Sequence, residues 1–120
     1  MNYNIKGTNL EITDEIRSYV EKCLSHAEKF LARDSAARAD VECEYTEVGH
    51  GPKFRAEFNL TASHGTHRAE ARGETLHEAL DIASAEIARE IRQQKKKRLH
   101  VLRKGAARAK DYLRGWTDKM

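Results

Sequence analysis

Apolar and polar residues repeat along this chain with two different periods, and each change of period marks the edge of an element. Residues 2–6 set Tyr3 and Ile5 against polar neighbours and halt at Gly7, as a short first strand does. A spacing of three and four follows: Ile16, Tyr19, Val20, Cys23, Leu24, Ala27, Phe30 and Leu31 make one stripe, which predicts an amphipathic helix over 14–32. Thr13 offers an N-cap hydroxyl, and Asp14 and Glu15 stand in the first turn, where the helix dipole favours carboxylates. Arg33-Asp34-Ser35 should end it. From Ala39 the period falls to two, with Ala39, Val41, Cys43 and Tyr45 alternating against Asp40, Glu42, Glu44 and Thr46, a strand wet on one side. Gly49-His50-Gly51-Pro52 is turn chemistry. A second alternating run, Phe54, Ala56, Phe58, Leu60 and Ala62, leads through Ser63-His64-Gly65 into a third around residues 67–72, with Ala69 and Ala71 inward. Short turns between these runs predict an antiparallel meander.

The last periodic segment is the longest. Thr75-Leu76-His77-Glu78 fits a capping box, the Thr hydroxyl taking one helical amide and Glu78 reaching back to the Thr75 amide. Leu76, Ala79, Leu80, Ala83, Ile87 and Ile91 then share one face, while Ala85, Arg89, Arg92, Lys96 and Arg103 lie opposite. A helix running to Lys104 would be about 45 Å long at ~1.5 Å per residue, more than a four-stranded sheet covers. Its second half should therefore leave the core, with Arg98 entering the apolar stripe where burial ends and Gly105 as C-cap.

The predicted order is β-α-β-β-β-α, an α+β sandwich with two helices packed on one face of a four-stranded, mostly antiparallel sheet. Asp40, Glu42, Glu44, Arg55, Glu57, Arg68, Glu70 and Arg72 fall on the other face, where opposite signs can pair across strands. The chain has 120 residues, enough for one domain, expected over 1–98. Residues 99–120 read as a basic, flexible extension with too few large apolar side chains to hold it on a core.

Charge changes the picture more than composition does. The net charge is only +3, yet residues 89–114 hold eleven Lys or Arg against Glu90 and Asp111, a local +9, while residues 1–88 carry −6. Solvated helices normally mix signs to gain pairs one turn apart, so this run points to a polyanion as partner, nucleic acid first. Lys and Arg would act through phosphates, reading RNA shape and backbone rather than base sequence.

Other chemistry finds little support. Cys23 and Cys43 lack metal-ligand spacing and fall on apolar positions, so they read as reduced core residues. The six histidines are scattered; His64 and His67 span a hairpin without a completing ligand, and His26 and His67 read as surface or RNA-edge residues. No metal or other cofactor is expected. Nucleophile elbow, phosphate loop and HExxH are all missing, which argues against an enzyme and a small-molecule substrate. The last helix starts with Glu74, Glu78 and Asp81, unlike the basic start of double-stranded-RNA-binding domains. A membrane-surface role has only Leu99, Val101 and Leu102 as apolar anchor near Lys95–Arg98. With no secretory h-region in the first residues, a cytoplasmic address is expected.

Leu10-Glu11-Ile12-Thr13-Asp14-Glu15-Ile16-Arg17, Glu28-Lys29-Phe30, and Arg68-Ala69-Glu70-Ala71 leading into residues 75–81 carry a family likeness. Over 1–98 the chain resembles the ribosome hibernation-promoting factors, also called ribosome-associated inhibitors or subunit interface proteins. The resemblance implies a non-enzymatic translation inhibitor of resting or stressed cells. It would be monomeric when free and bind small-subunit ribosomal RNA in the channel that messenger and transfer RNA use. Matching basic positions are Arg17, Lys29, Arg89 and Lys95, with Lys22 beside them. Where the family usually has basic residues, this chain has Cys23, His26, Glu86 and Gln93, and His77 stands where Tyr is common. Arg92 and Lys96, Lys97 and Arg98 are expected to restore the charge. The chain reaches Met120, short of the dimerising domain that longer members carry. The competing reading is a generic basic RNA-binding module without ribosome preference.

Overall fold

The computed structural model describes residues 1–29, 31, 34–47 and 49–118; the side chains of residues 98 and 106–118 lie outside that description. Strands β1 (Asn2–Thr8), β2 (Arg38–Tyr45), β3 (Phe54–Ala62) and β4 (Gly65–Gly73) form one sheet in the order β1-β2-β3-β4. β1 runs parallel to β2, and the other two pairings are antiparallel. The parallel pair requires a crossover, which α1 (Asp14–Glu28) supplies. Helix α2 (Leu76–Asp118) follows β4. This is the α+β order expected from the periods.

Register explains which side chains meet. Ile5, Val41, Phe58 and Ala69 form one row across the sheet, and Tyr3, Ala39, Leu60 and His67 the next inward row. The inward rows pack on Val20, Cys23, Leu24 and Ala27 of α1 and on Leu76, Ala79, Leu80, Ala83, Ile87 and Ile91 of α2. On the outer face, Glu42, Glu57 and Glu70 stand directly opposite one another, an arrangement that repels when left alone. Arg55 resolves it, reaching Glu42 at 2.6 Å, Glu57 at 2.7 Å, Glu70 at 2.9 Å and Glu44 at 3.2 Å. Arg68 adds contacts to Glu57 at 3.0 Å and Glu70 at 3.7 Å.

Caps fix where the helices begin. The Ile16 amide donates to Thr13 Oγ1 at 3.2 Å, and the Glu78 amide donates to Thr75 Oγ1 at 3.1 Å. Of the expected capping box, the hydroxyl arm is the one formed. Gly73 lets α2 sit close on the end of β4, since a Cβ there would stand 2.8 Å from the Ala79 amide nitrogen. Gly7 lies inside β1 rather than ending it. A Cβ at that position would meet the Leu10 carbonyl oxygen at 2.4 Å, so the close return of the chain requires glycine.

Four further expectations need correction. Helix α1 ends at Glu28, four residues before position 32. The chain turns there through Leu31 N–H to Glu28 O and Asp34 N–H to Leu31 O, and Leu31 is buried from the turn rather than from a helix. Phe30, Ala32 and Arg33 lie outside the described residues. Asp34 anchors the turn by accepting from the Ser63 amide at 2.8 Å, the Ser63 hydroxyl at 2.7 Å and the Ala36 amide at 3.0 Å. Second, α2 continues through Gly105 to Asp118, so Gly105 is not a C-cap. At ~1.5 Å per residue its 43 residues span about 64 Å. The flexible extension expected over 99–120 falls largely on side chains outside the description; the backbone through Asp118 is helical, and residues 99–105 are exposed.

Third, His67 is not a surface residue. It is 1% exposed, in phase with Ala69 on the inward side of β4. Fourth, His64 and His67 do converge. Their Nε2 atoms lie 2.6 Å apart, and His67 Nδ1 is 3.2 Å from Glu90 Oε1 on α2.

Candidate nucleic-acid interface

The two helices form a single layer. Tyr19 of α1 packs edge-on against His77 of α2 with ring centroids 4.4 Å apart, and its hydroxyl donates to Asp81. That carboxylate pushes the Tyr19 hydroxyl up to about 12, keeping it a protonated donor at any ordinary pH. One turn on, Cys23 lies beside Ser84 along the same seam, and burial raises the thiol above its usual range. Cys43, beneath it on β2, is pushed by burial up to about 11, and both thiols are free. These contacts hold the outward faces of α1 and α2 side by side.

Basic residues populate that outward layer. Arg17, Lys22 and Lys29 are exposed on α1 and at its C-cap, and Arg89, Arg92, Lys95, Lys96 and Lys97 are exposed on α2. Arg98 belongs to the same helix, with its side chain outside the description. Near Arg17, the Tyr3 hydroxyl donates to Glu21. Among the described residues, none of these eight cations forms an ion pair with a carboxylate. The sheet-face guanidiniums of Arg55 and Arg68 have the opposite condition, each held by two or more carboxylates.

The charge is dense on α2 and sparse on α1. Arg89, Arg92 and Lys96 recur at three and four on one side of α2, whereas Arg17 and Lys29 mark opposite ends of α1. The start of α2 remains acidic, with Glu74, Glu78 and Asp81 all exposed, so the helix changes sign along its length. The last buried residue of α2 among those described is Ile91; beyond it Leu99, Val101 and Leu102 are exposed. Lys97 lines a shallow groove with Glu90, Gln93, Gln94, Val101 and Leu102.

The positions that lack the resembled family's basic residue are not equivalent. Cys23 is only 6% exposed and faces the core, so no surface charge is missing there. His26, Glu86 and Gln93 are exposed and could each have carried one. Among the described residues no three His, Cys, Asp or Glu converge as metal ligands, and no helix is long and apolar enough to cross a membrane. The His64, His67 and Glu90 cluster escaped a reading based on residue type, although the phase of residue 67 with Ala69 and Ala71 carried the signal.

Comparison with known proteins assigns the family. Residues 3–99 match the model described as sigma 54 modulation protein / S30EA ribosomal protein. The chain belongs to this family. Among S30EA relatives, the ribosome hibernation promotion factor of Lactococcus lactis is 32% identical over 94 residues, covering 78% of this chain and 49% of that protein. The Bacillus subtilis protein of the same name is 29% identical over 97 residues, covering 81% and 50%. The chloroplastic ribosome-binding factor PSRP1 of Spinacia oleracea is 34% identical over 99 residues, covering 78% and 32%. The chain thus spans half or less of the length of these S30EA relatives. The N-terminal domain of Thermus thermophilus Protein Y superposes with a TM-score of 0.68 at 32% identity, covering 78% of this chain and 98% of that one. A ribosomal subunit interface protein from Coxiella burnetii gives 0.69 at 16% identity, covering 80% and 99%, and speaks for the fold alone.

Proposed function

We propose that this chain is a ribosome-associated translation inhibitor. It binds small-subunit ribosomal RNA in the channel for transfer and messenger RNA, and holds ribosomes idle in stationary phase or stress. The observation that carries this reading is the set of eight exposed cations on α1 and α2 without carboxylate partners among the described residues, set against the neutralised arginines of the sheet. Unpaired guanidinium and ammonium groups on a rigid helix are ready to replace the counterions of a phosphate backbone at little cost in reorganisation. The names of the S30EA relatives supply the ribosome as the particular polyanion.

Inhibition needs no chemistry in this account. Residues 1–98 act as the binding domain, occupying the channel as a wedge, with Arg17, Lys22, Lys29, Arg89, Arg92, Lys95, Lys96, Lys97 and Arg98 on phosphates. Residues 99–120 add basic attraction beyond it. A single copy in the cytoplasm suffices. Sucrose-gradient sedimentation of a stationary-phase lysate tests the reading: the protein should travel with small subunits or whole ribosomes at moderate salt. Protein that stays at the top of the gradient, yet still binds unrelated structured RNA, would make it a generic RNA-binding module.

A further inference from the structure

We propose that the groove on the overhanging half of α2, floored by Val101 and Leu102, takes an unstacked nucleobase of single-stranded RNA. This rests on the reading of α2 as the phosphate-binding helix and names what that helix holds besides phosphates. Leu102 stands 11 residues after Ile91, about three turns on, and Val101 stands 18 after Ala83, about five turns on. Both therefore continue the face that Leu80, Ala83, Ile87 and Ile91 bury against the sheet. Ile91 is the last buried residue of α2 among those described, whereas Val101 is 67% exposed and Leu102 70%. An apolar face that keeps its phase beyond the core meets water in the free chain, so covering it favours binding.

Charge and size select the occupant. Lys97 lines the groove, and Lys96, Arg103 and Lys104 are exposed within two turns of it. None of the four pairs with a carboxylate among the described residues. A nucleic acid drawn to these cations brings its bases with its phosphates. A protein partner fits the groove less well. Specific protein interfaces bury about 800 Å² on each side around an apolar core, and the large exposed aliphatic side chains described on this half of α2 are only Leu99, Val101 and Leu102. The flat face of one base needs no more than two of them.

The polar lining agrees with a base. Gln93 and Gln94 each offer a carbonyl oxygen and an amide NH2, the mixed acceptor and donor set that meets base edges. Glu90, at the near end of the groove, lies with Oε1 3.2 Å from His67 Nδ1 of β4. A carboxylate only accepts, so it suits the N–H groups that bases carry and repels phosphates, which carry none. Phosphates are left to Lys97, two turns along. Paired bases stay stacked with their faces covered, so the groove serves loops, bulges and strand ends rather than duplex. Aliphatic side chains laid against base faces are a known mode of contact.

The test compares the full chain with its Val101→Gln/Leu102→Gln variant on a single-stranded RNA oligonucleotide, on the same strand annealed to its complement, and on purified small ribosomal subunits. Gln forms helix as well as Leu and better than Val, so α2 is kept and melting should not move. The variant should bind the single strand about five- to tenfold more weakly than the wild type. Its salt slope should be unchanged, because no phosphate contact is lost. On duplex the two proteins should bind alike. Equal binding of the single strand by both, or the same loss on single strand and duplex, overturns the base site. A loss on subunits with none on either RNA assigns the groove to a ribosomal protein and also overturns it. If subunits are not bound while the single-strand loss appears, the base site stands and the ribosomal reading falls. A wild-type chain that binds no RNA at all removes both.

Discussion

Arg55 and Arg89 carry the same guanidinium in opposite surroundings, and the difference separates structure from site one residue at a time. Arg55, with 14% of its side chain exposed, is the hub for four carboxylates, so Arg55→Ala should leave Glu57 and Glu70 to Arg68 alone and take from Glu42 its nearest cation. A loss of about 1–3 kcal/mol in urea unfolding is expected. Arg89→Ala and Lys96→Ala should leave melting nearly unchanged while weakening subunit binding; a shift of several degrees would make them structural pairs. Two carboxyls set the acid limit. Hydrogen bonds from the Ser63 amide and hydroxyl hold Asp34 below the usual carboxylate range. Burial alone would raise Glu57, but Asn59, Arg68 and Arg55 outweigh it and lower it. A depressed carboxyl contributes stability above its unfolded pKa and loses it as pH falls through the folded value. These two should therefore act below about pH 4, and a melting series through the acid range reads their loss. Cys23 and Cys43, buried and held protonated, should resist iodoacetamide in the native protein and react once it is unfolded.

At the level of elements, burial ranks the positions. Phe58 is fully buried in the central row of β3, and Leu80 on α2 is 1% exposed. Phe58→Ala or Leu80→Ala should cost about 2–5 kcal/mol through lost burial and a cavity, measured by denaturant unfolding. Periodicity made these faces legible because burial of one side repeats at fixed spacing, and Thr13 and Thr75 marked both helix starts because few residues cap well. Helix ends were less legible. Leu31 kept the apolar spacing although it is buried from a turn, and nothing local announces that Asp34 will bind Ser63, 29 residues away. Gly105 looked like a stop, yet a helix-interior Gly costs only about 1 kcal/mol relative to Ala, and Ala106, Ala107 and Ala109 favour continuing. His67 shows residue type outweighing phase: its parity with Ala69 pointed inward, and its polarity drew the reading outward.

Across the whole molecule, the asymmetry of charge visible in the chain becomes an asymmetry of ion pairing. The sheet's charges neutralise one another, the start of α2 is acidic, and the cations of the helix layer have no carboxylate partner among the described residues. Charge counting located the cationic stretch. Which cations remain unpaired depends on cross-strand register, which no single segment of sequence contains. The most direct test is the affinity of the intact chain for purified small subunits as a function of salt, compared with an Arg89→Ala/Arg92→Ala/Lys96→Ala variant. The wild-type binding constant should fall steeply, with a log–log slope of about 0.7–0.9 per phosphate contact, and the variant's slope should be shallower by roughly two to three contacts. A nearly flat wild-type slope, or an unchanged slope in the variant, would contradict the helix layer as the surface that holds RNA.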